Sequence, residues 1–383
     1  MEQDMKKKDI KDKNAAKKSS EKISAAMEAA RRFQVRGSFY SMTPYGNGHI
    51  NDTYLFQTKE NEKIHSYILQ RINHHVFKDP EGLMENIRLV TAFLRRKIRE
   101  NGGDPERETL TLIPADSGRI LYQDPGDSFW RCYLFIENTL CLEQANSPED
   151  FRESGRAFGA FQQMLNDFPA STLSQSIPDF HNTPLRYQRL LDAVKKDPLH
   201  RVRKAEPELA FLEARARQLD SAARLSADGR LPLRVTHNDT KLNNVLFDAA
   251  SRKSLCVIDL DTIMPGLSIY DFGDAIRFGA NTALEDETDL SKVSLSLPLY
   301  RAFSQGFLEK AGTILTDEEL YMLPMGAKLM TLECGIRFLT DYLEGDVYFK
   351  IQRPDHNLDR TRVQLALIKD MEEKWDAMTI RSL

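Results

Sequence analysis

Residues 235–261 read VTHNDTKLNNVLFDAASRKSLCVIDLD. An apolar approach, Leu233 and Val235, leads to His237, Asp239, Lys241 and Asn244 within eight residues. A polar turn at 249–254 follows, and a buried-strand run at 255–258 then delivers Asp259. The pattern is a loop, a hairpin and a carboxylate at a strand's end. Phosphoryl transfer needs such a set: one carboxylate to orient the attacking hydroxyl, with an amide and a second carboxylate to hold Mg²⁺ against the phosphates. Asp239 lies two residues after His237 and Asn244 five after Asp239, the intervals of the kinase loop H-R-D-x-x-x-x-N. Lys241, two after Asp239, stands where protein kinases often place a lysine near the transferred phosphate. Two unrelated polar turns would also explain the loop residues, but not the hairpin and carboxylate that follow.

The chain resembles the aminoglycoside phosphotransferase and choline kinase superfamily. Within it, the chain is similar to the N-acetylhexosamine 1-kinases of bacterial amino-sugar salvage. The resemblance covers residues 33–371. Its most specific stretches are PYGNGHINDTY at 44–54, LRVTHNDTKLNNVL at 233–246, VIDLDTIMP at 257–265, ALEDETDLS at 283–291 and LECGIRFLTDYLEGDVYF at 332–349. It implies an α+β, protein-kinase-like two-lobe fold, with an antiparallel sheet in the small lobe and a larger, mainly helical lobe. It also implies ATP and Mg²⁺ as cofactors and an N-acetylhexosamine phosphorylated on its anomeric hydroxyl.

Composition sets outer limits. The chain of 383 residues is long enough for two lobes with ample cores. A net charge of −4 argues against non-specific nucleic-acid binding. No apolar run reaches the ~18 residues that a membrane span needs. Residues 1–20 are Lys-rich, diluted by acids, and lack the apolar core of a secretory signal. Cys132, Cys141, Cys256 and Cys334 show no metal-type spacing. A reduced, cytoplasmic monomer without nucleic-acid or membrane partners is expected.

Three segments are expected: a disordered tail at 1–22, a nucleotide-binding lobe at 23–138, and a catalytic and sugar-binding lobe at 139–383. A short helix at 23–33 precedes strands at 39–45 and 53–58. The turn between them carries Gly46, Asn47 and Gly48, where backbone amides can cradle phosphate oxygens. His49 and Asn51 at its tip face phosphates or sugar, and the resemblance favours sugar. The strand at 65–72 ends near Gln70, where related kinases commonly carry a phosphate-pairing lysine. Glutamine donates a hydrogen bond but supplies no charge, which gives a non-catalytic pseudokinase its one point of support. A helix starts at Asp79-Pro80 and runs to 99. Strands follow at 109–113, 119–122 and 129–136. In the superfamily the next segment bonds the adenine edge through its main chain, which makes Glu137 and Asn138 cofactor candidates.

In the large lobe, Asp239 is the expected base, Lys241 its catalytic neighbour and His237 a tie between loop and core. Asn244 and Asp259 are the expected Mg²⁺ ligands, with Asp261 as a candidate for a second ion. Asp271-Phe272-Gly273 spells D-F-G, but the spacing from Asn244 admits an extra strand, so Asp271 is expected to bind loop N–H groups. Asp274 is expected to pair with Arg277, and the acidic run 285–289 to be a solvated turn. His181 either lines the sugar pocket or sits on a surface turn, and the polar turn around it favours the surface. One amphipathic helix is expected at 204–223. Helices are expected at 316–342 and 357–375. Arg337 and Tyr348 either contact sugar or form an Arg337–Asp341 pair with core aromatics, and the resemblance favours sugar. Choline, aminoglycoside or homoserine kinase activity is the alternative. The absence of an A-P-E anchor argues against a protein kinase.

Overall fold

The computed structural model describes residues 21–46 and 50–379. Two compact units divide it, Met1–Glu137 and Asn138–Leu383. The tail expected at 1–22 falls almost wholly outside the described residues.

The first unit is built on an antiparallel sheet. Its strands are β1 (Ser38–Pro44), β2 (Asp52–Glu60), β3 (Lys63–Ile72), β4 (Leu112–Ile113), β5 (Tyr122–Gln123) and β6 (Phe129–Leu134), ordered β1-β2-β3-β6-β4 with β5 also on β6. Asn61 and Glu62 both take positive φ, the geometry that a two-residue hairpin between β2 and β3 requires. Residues 21–30 form helix α1, whose Ala26, Ala29 and Ala30 pack on Tyr54, Phe56, Tyr67 and Trp130. Small residues at helical spacing let α1 lie close to the aromatic face of the sheet. α2 (Pro80–Glu100) starts as its sequence dictates: Asp79 accepts from the Gly82 N–H, Pro80 occupies the first turn, and Leu83, Ile87, Val90 and Leu94 are buried. The strands expected at 109–113 and 119–122 shrink to two residues each. Around Gly118 the chain turns back on itself, with the Ala115 N–H on the Arg119 carbonyl, and consumes the backbone groups that a longer ladder would use.

The second unit is mainly helical. It comprises β7 (Thr139–Cys141), α3 (Pro148–Met164), α4 (Thr183–Lys196), α5 (Glu206–Glu213), α6 (Ser221–Ala227), β8 (Arg234–Thr236), β9 (Val245–Asp248), β10 (Ser254–Val257), β11 (Met264–Gly266), α7 (Ser268–Gly279), α8 (Leu297–Ala311), α9 (Asp317–Glu344), α10 (His356–Glu373) and α11 (Trp375–Met378). The helix expected at 204–223 is broken in two. Pro207 opens α5, and 3-10 turns precede and follow it. α9 holds the centre of this unit. Thr316 and Glu319 cap its start reciprocally, and Gly345 ends it at positive φ. Its Leu332, Ile336, Leu339 and Leu343 share a core with Leu190, Leu212, Leu358 and Ile368.

Two helix pairs touch backbone to backbone. A Cβ on Gly306 of α8 would sit 2.0 Å from the Arg152 carbonyl of α3. A Cβ on Gly326 of α9 would sit 2.1 Å from the Ile269 carbonyl in the first turn of α7, and one on Gly273 would sit 2.3 Å from the Gly326 carbonyl. No side chain fits there, so glycine sets the crossing distance and with it the position of α7. Gly326→Ala and Gly306→Ala are each expected to lower stability by about 1–3 kcal/mol through overpacking. Urea unfolding checks this, and an unchanged midpoint in both variants contradicts the crossing.

Candidate active site

β8 ends at Thr236 and the chain turns sharply into residues 237–241. Asn238 takes φ +63°, a left-handed conformation that asparagine tolerates. The turn is held by side chains from later elements. Asp271, in the first turn of α7 and 1% exposed, accepts the His237 N–H at 2.9 Å through Oδ2 and the Asn238 N–H at 2.7 Å through Oδ1. Gln162 Nε2 donates to the same carboxylate at 2.9 Å. Burial pushes the Asp271 carboxyl up, against the His237 ring and these donors. The D-F-G aspartate therefore serves the loop backbone, as its spacing implies. His237 is fully buried between Phe158 and Phe161, with Nε2 on the Ile258 carbonyl at 2.8 Å. It ties the loop to the strand end that carries Asp259.

The loop presents Asp239. Lys241 Nζ lies 2.7 Å from Asp239 Oδ1, both side chains being partly exposed. Burial acts to raise the Asp239 carboxyl, but Lys241, the His237 ring and the Asn244 amide together hold it below its ordinary value. The Asp239 charge in turn raises Lys241. Asn244 Nδ2 donates to the Asp239 carbonyl at 2.8 Å and to Oδ2 at 3.1 Å. This orients the amide, leaving its oxygen as the end that can ligate a cation.

The Asn244 carbonyl accepts the Ile258 N–H at 2.9 Å, which brings Asn244 beside the residue that precedes Asp259. Asp259 is exposed, at φ +58°, ahead of the 3-10 turn Leu260–Thr262. Asp261 is 4% exposed, and its carbonyl accepts from Ser176 Oγ at 3.0 Å. Among the described residues no three His, Cys, Asp or Glu side chains gather as a metal cluster. An amide oxygen and carboxylates are nonetheless hard donors of the kind Mg²⁺ takes beside substrate phosphates, so the donor set fits.

In the first unit, Gly46 takes φ +73° with open space around its α-carbon. Asn47, Gly48 and His49 lie outside the described residues. Asn51 Oδ1 accepts the Asn73 N–H at 3.0 Å, a turn-bracing bond. Gln70 is oriented by its neighbours: Arg131 Nε donates to its Oε1 at 2.9 Å, and its Nε2 donates to Thr53 Oγ at 3.0 Å. Arg131, across the β3–β6 ladder, is 1% exposed, and its Nη1 lies 3.9 Å from Met84 Sδ of α2. Sequence reasoning missed Arg131, whose only signal is a charge in a strand otherwise rich in apolar residues. At the end of this unit Arg107 donates to the Glu137 carbonyl at 3.4 Å. The Asn138 carbonyl, at the start of the second unit, accepts the Ala249 N–H at 2.9 Å.

Arg337 of α9 lies 5.9 Å from the Tyr348 ring centroid and 5.4 Å from that of Phe349. Asp341 is not its partner. That carboxylate accepts the N–H groups of Val347, Tyr348 and Phe349 at 2.7–3.0 Å and the Asn357 amide at 2.8 Å, so it shapes the loop that carries Tyr348. Tyr348 is 65% exposed. Arg277 forks onto Asp274 Oδ1 at 3.1 and 3.0 Å and also reaches Glu285, so the acidic run is partly engaged. His181 corrects the expectation of a surface histidine. It is nearly buried, with Nδ1 3.0 Å from Glu333 Oε1 and Nε2 3.3 Å from the Asn238 carbonyl oxygen. Thr183 Oγ donates to the other Glu333 oxygen at 2.7 Å. A polar turn before a helix conceals this role, because the partner lies 152 residues away.

The profile of the Phosphotransferase enzyme family matches residues 41–301, and the chain belongs to that family. A microcompartment-associated aminopropanol kinase superposes with a TM-score of 0.60 at 16% identity, over 94% of this chain and 100% of that one. The GDP complex of aminoglycoside 2'-phosphotransferase-IIIa gives 0.56 at 14%, over 86% and 93%. A choline kinase from Cryptosporidium parvum gives 0.52 at 14%, over 88% and 90%. The fold is α+β and protein-kinase-like.

Asp271→Asn would turn an amide N–H toward one of two buried backbone donors. It is expected to lower stability by about 2–4 kcal/mol. Asp259→Asn, at an exposed left-handed position, is expected to change stability by less than about 0.5 kcal/mol. Thermal melts of the two variants check the contrast.

Proposed function

We propose that this phosphotransferase is an ATP- and Mg²⁺-dependent kinase for the anomeric hydroxyl of a free N-acetylhexosamine. The observation that carries the kinase reading is the Asp239 carboxylate, held between the Lys241 ammonium and an Asn244 amide whose oxygen is turned away. Asn244 and Asp259 would hold Mg²⁺, with Asp261 near a second ion, and the metal would neutralise charge on the ATP phosphates. Asp239 orients the hydroxyl. As the O1–P bond forms and the bond from the γ-phosphorus to the bridging oxygen breaks, the hydroxyl proton passes to Asp239. ADP leaves with the electron pair. A carboxylate held below its ordinary pKa is a weak base. An anomeric hydroxyl, more acidic than an ordinary alcohol, suits it. Lys241 sits beside the base, ready to offset charge on the transferred group.

The sugar reading rests on Arg337 with Tyr348 and Phe349. Aromatic faces cover the apolar side of a pyranose, and a guanidinium donates to hydroxyl or acetamide oxygens. Arg186 stands within electrostatic reach of Arg337, and burial together with that charge lowers its pKa. Two guanidinium groups oppose a cationic acceptor such as choline or an aminoglycoside. Those activities, with homoserine, remain the alternative. A pseudokinase would have no need of an ordered Asp239, Lys241 and Asn244.

ADP release with Mg·ATP is expected with free GlcNAc or GalNAc and not with their 1-O-methyl glycosides, choline, homoserine or kanamycin. Turnover on the methyl glycosides would place the phosphate elsewhere on the ring. Arg337→Ala is expected to raise the KM for sugar by about 10- to 100-fold, the loss of a hydrogen bond to a charged group, with the KM for ATP unchanged. Equal rises in both constants would remove Arg337 from the sugar site.

A further inference from the structure

The peptide unit that enters Asp239 is clamped at both ends by histidines. Its carbonyl, from Asn238, lies 3.3 Å from His181 Nε2, and its N–H, from Asp239, donates to His237 Nδ1 at 3.3 Å. The two rings meet different demands. His237 accepts at Nδ1 and faces the Ile258 carbonyl from Nε2, which fits the Nε2–H tautomer. His181 faces oxygen on both sides, a carbonyl that only accepts and a Glu333 carboxyl oxygen. Both contacts become hydrogen bonds only if His181 and Glu333 together hold a proton beyond the one on Nε2. That proton bridges Nδ1 and Glu333 Oε1, while Thr183 Oγ satisfies the remaining Glu333 oxygen.

We propose that His181 and Glu333 form a one-proton couple that positions the Asp239 peptide. His181 is a positioning residue that acts through the Asn238 carbonyl. The proposal rests on Asp239 being the base. When the couple loses its proton, the neutral His181 ring keeps one N–H for two acceptors. The charged Glu333 carboxylate is the stronger one, so the N–H goes to Nδ1, the Asn238 carbonyl loses its donor, and the peptide can rotate about the left-handed Asn238. The groups facing the couple are Glu333 and Arg337 on α9, Asp274 and Tyr270 on α7, Arg186 on α4 and Phe180 on its own turn. Burial works against the protonated imidazole, but Glu333 and Asp274 outweigh it and raise His181 above its ordinary 6.5. Burial likewise acts to raise Glu333, while His181, Arg337 and Thr183 bring it down. The two shifts set the sign. Stabilisation from the couple is present in full between the ordinary values of Glu333, 4.5, and His181, 6.5. It is lost as pH rises through the raised value of His181 or falls through the lowered value of Glu333.

Two readouts test this. By NMR of the ligand-free protein, the His181 ring, assigned by its loss in His181→Ala, is expected to titrate above 6.5, and lower in Glu333→Gln. The Asp239 amide resonance is expected to follow the same midpoint and to be flat in His181→Ala. In turnover, His181→Ala is expected to lower kcat about 10- to 100-fold, within the range that loss of alignment gives, with KM for ATP nearly unchanged. His181→Gln, which keeps a donor for the Asn238 carbonyl, should recover part of that loss. Glu333→Gln should move the alkaline limb of kcat to lower pH. An Asp239 amide that ignores the His181 titration, or variants that lose only melting temperature, would overturn the proposal. Wild-type protein without turnover on any acceptor would defeat the kinase reading, while the NMR readout would still decide the couple.

Discussion

The Asp271 carboxylate, buried and accepting two consecutive backbone N–H groups, is the interaction on which the site depends. A left-handed residue between a strand and a catalytic turn exposes main-chain donors that no ladder can satisfy. Leaving them unpaired in a buried setting would cost about 1–3 kcal/mol each. One carboxylate from α7 meets both. For it to reach, α7 must lie close to the loop, and the Gly273–Gly326 crossing allows α7 to seat tightly on α9. Packing of two helices remote in sequence thus fixes the direction of one peptide.

The electrostatics of the loop follow from that placement. Asp239 is partly buried, which alone would favour its neutral form, yet Lys241 at 2.7 Å keeps it ionised. The pair trades basicity for constant charge. A strong base would be protonated over part of the neutral range, whereas this carboxylate stays charged across it. A loose phosphoryl transition state asks for alignment and charge more than for proton affinity, so on the proposed reading a weak base at this position suffices.

The parts legible in the sequence were those written in short intervals. The His237–Asp239–Asn244 spacing, the strand before Asp259, the Asp79-Pro80 helix start and the Asp271 role all depend on neighbours along the chain or on counting elements. What escaped was set by tertiary partners. His181 reads as a turn histidine until Glu333 arrives from α9. Asp341 reads as the i+4 mate of Arg337 until its carboxylate turns to the 347–349 backbone. The helix expected at 204–223 differs in two ways: Pro207 sets its start at Glu206, and a 3-10 turn at Ala216–Gln218 divides it from α6, which a smooth amphipathic pattern concealed. The fold class survived these misses because helix and strand periodicity was right where the segments were long.

Gln70 shows how far a missing motif residue argues for lost function. In many kinases the lysine on the third strand brings its own charge and is aligned by a helix glutamate. Here the strand offers an amide, and the buried cation stands one strand over at Arg131. Arg131 fixes the amide's orientation by holding its oxygen, and Thr53 takes one N–H. The bonded amide has a fixed direction but carries no charge. Burying the Arg131 charge is costly unless its bonds are met. The Gln70–Arg131 contact is therefore a bond of the β3–β6 ladder that sets the amide's direction, and the missing charge at Gln70 does not by itself argue for lost function.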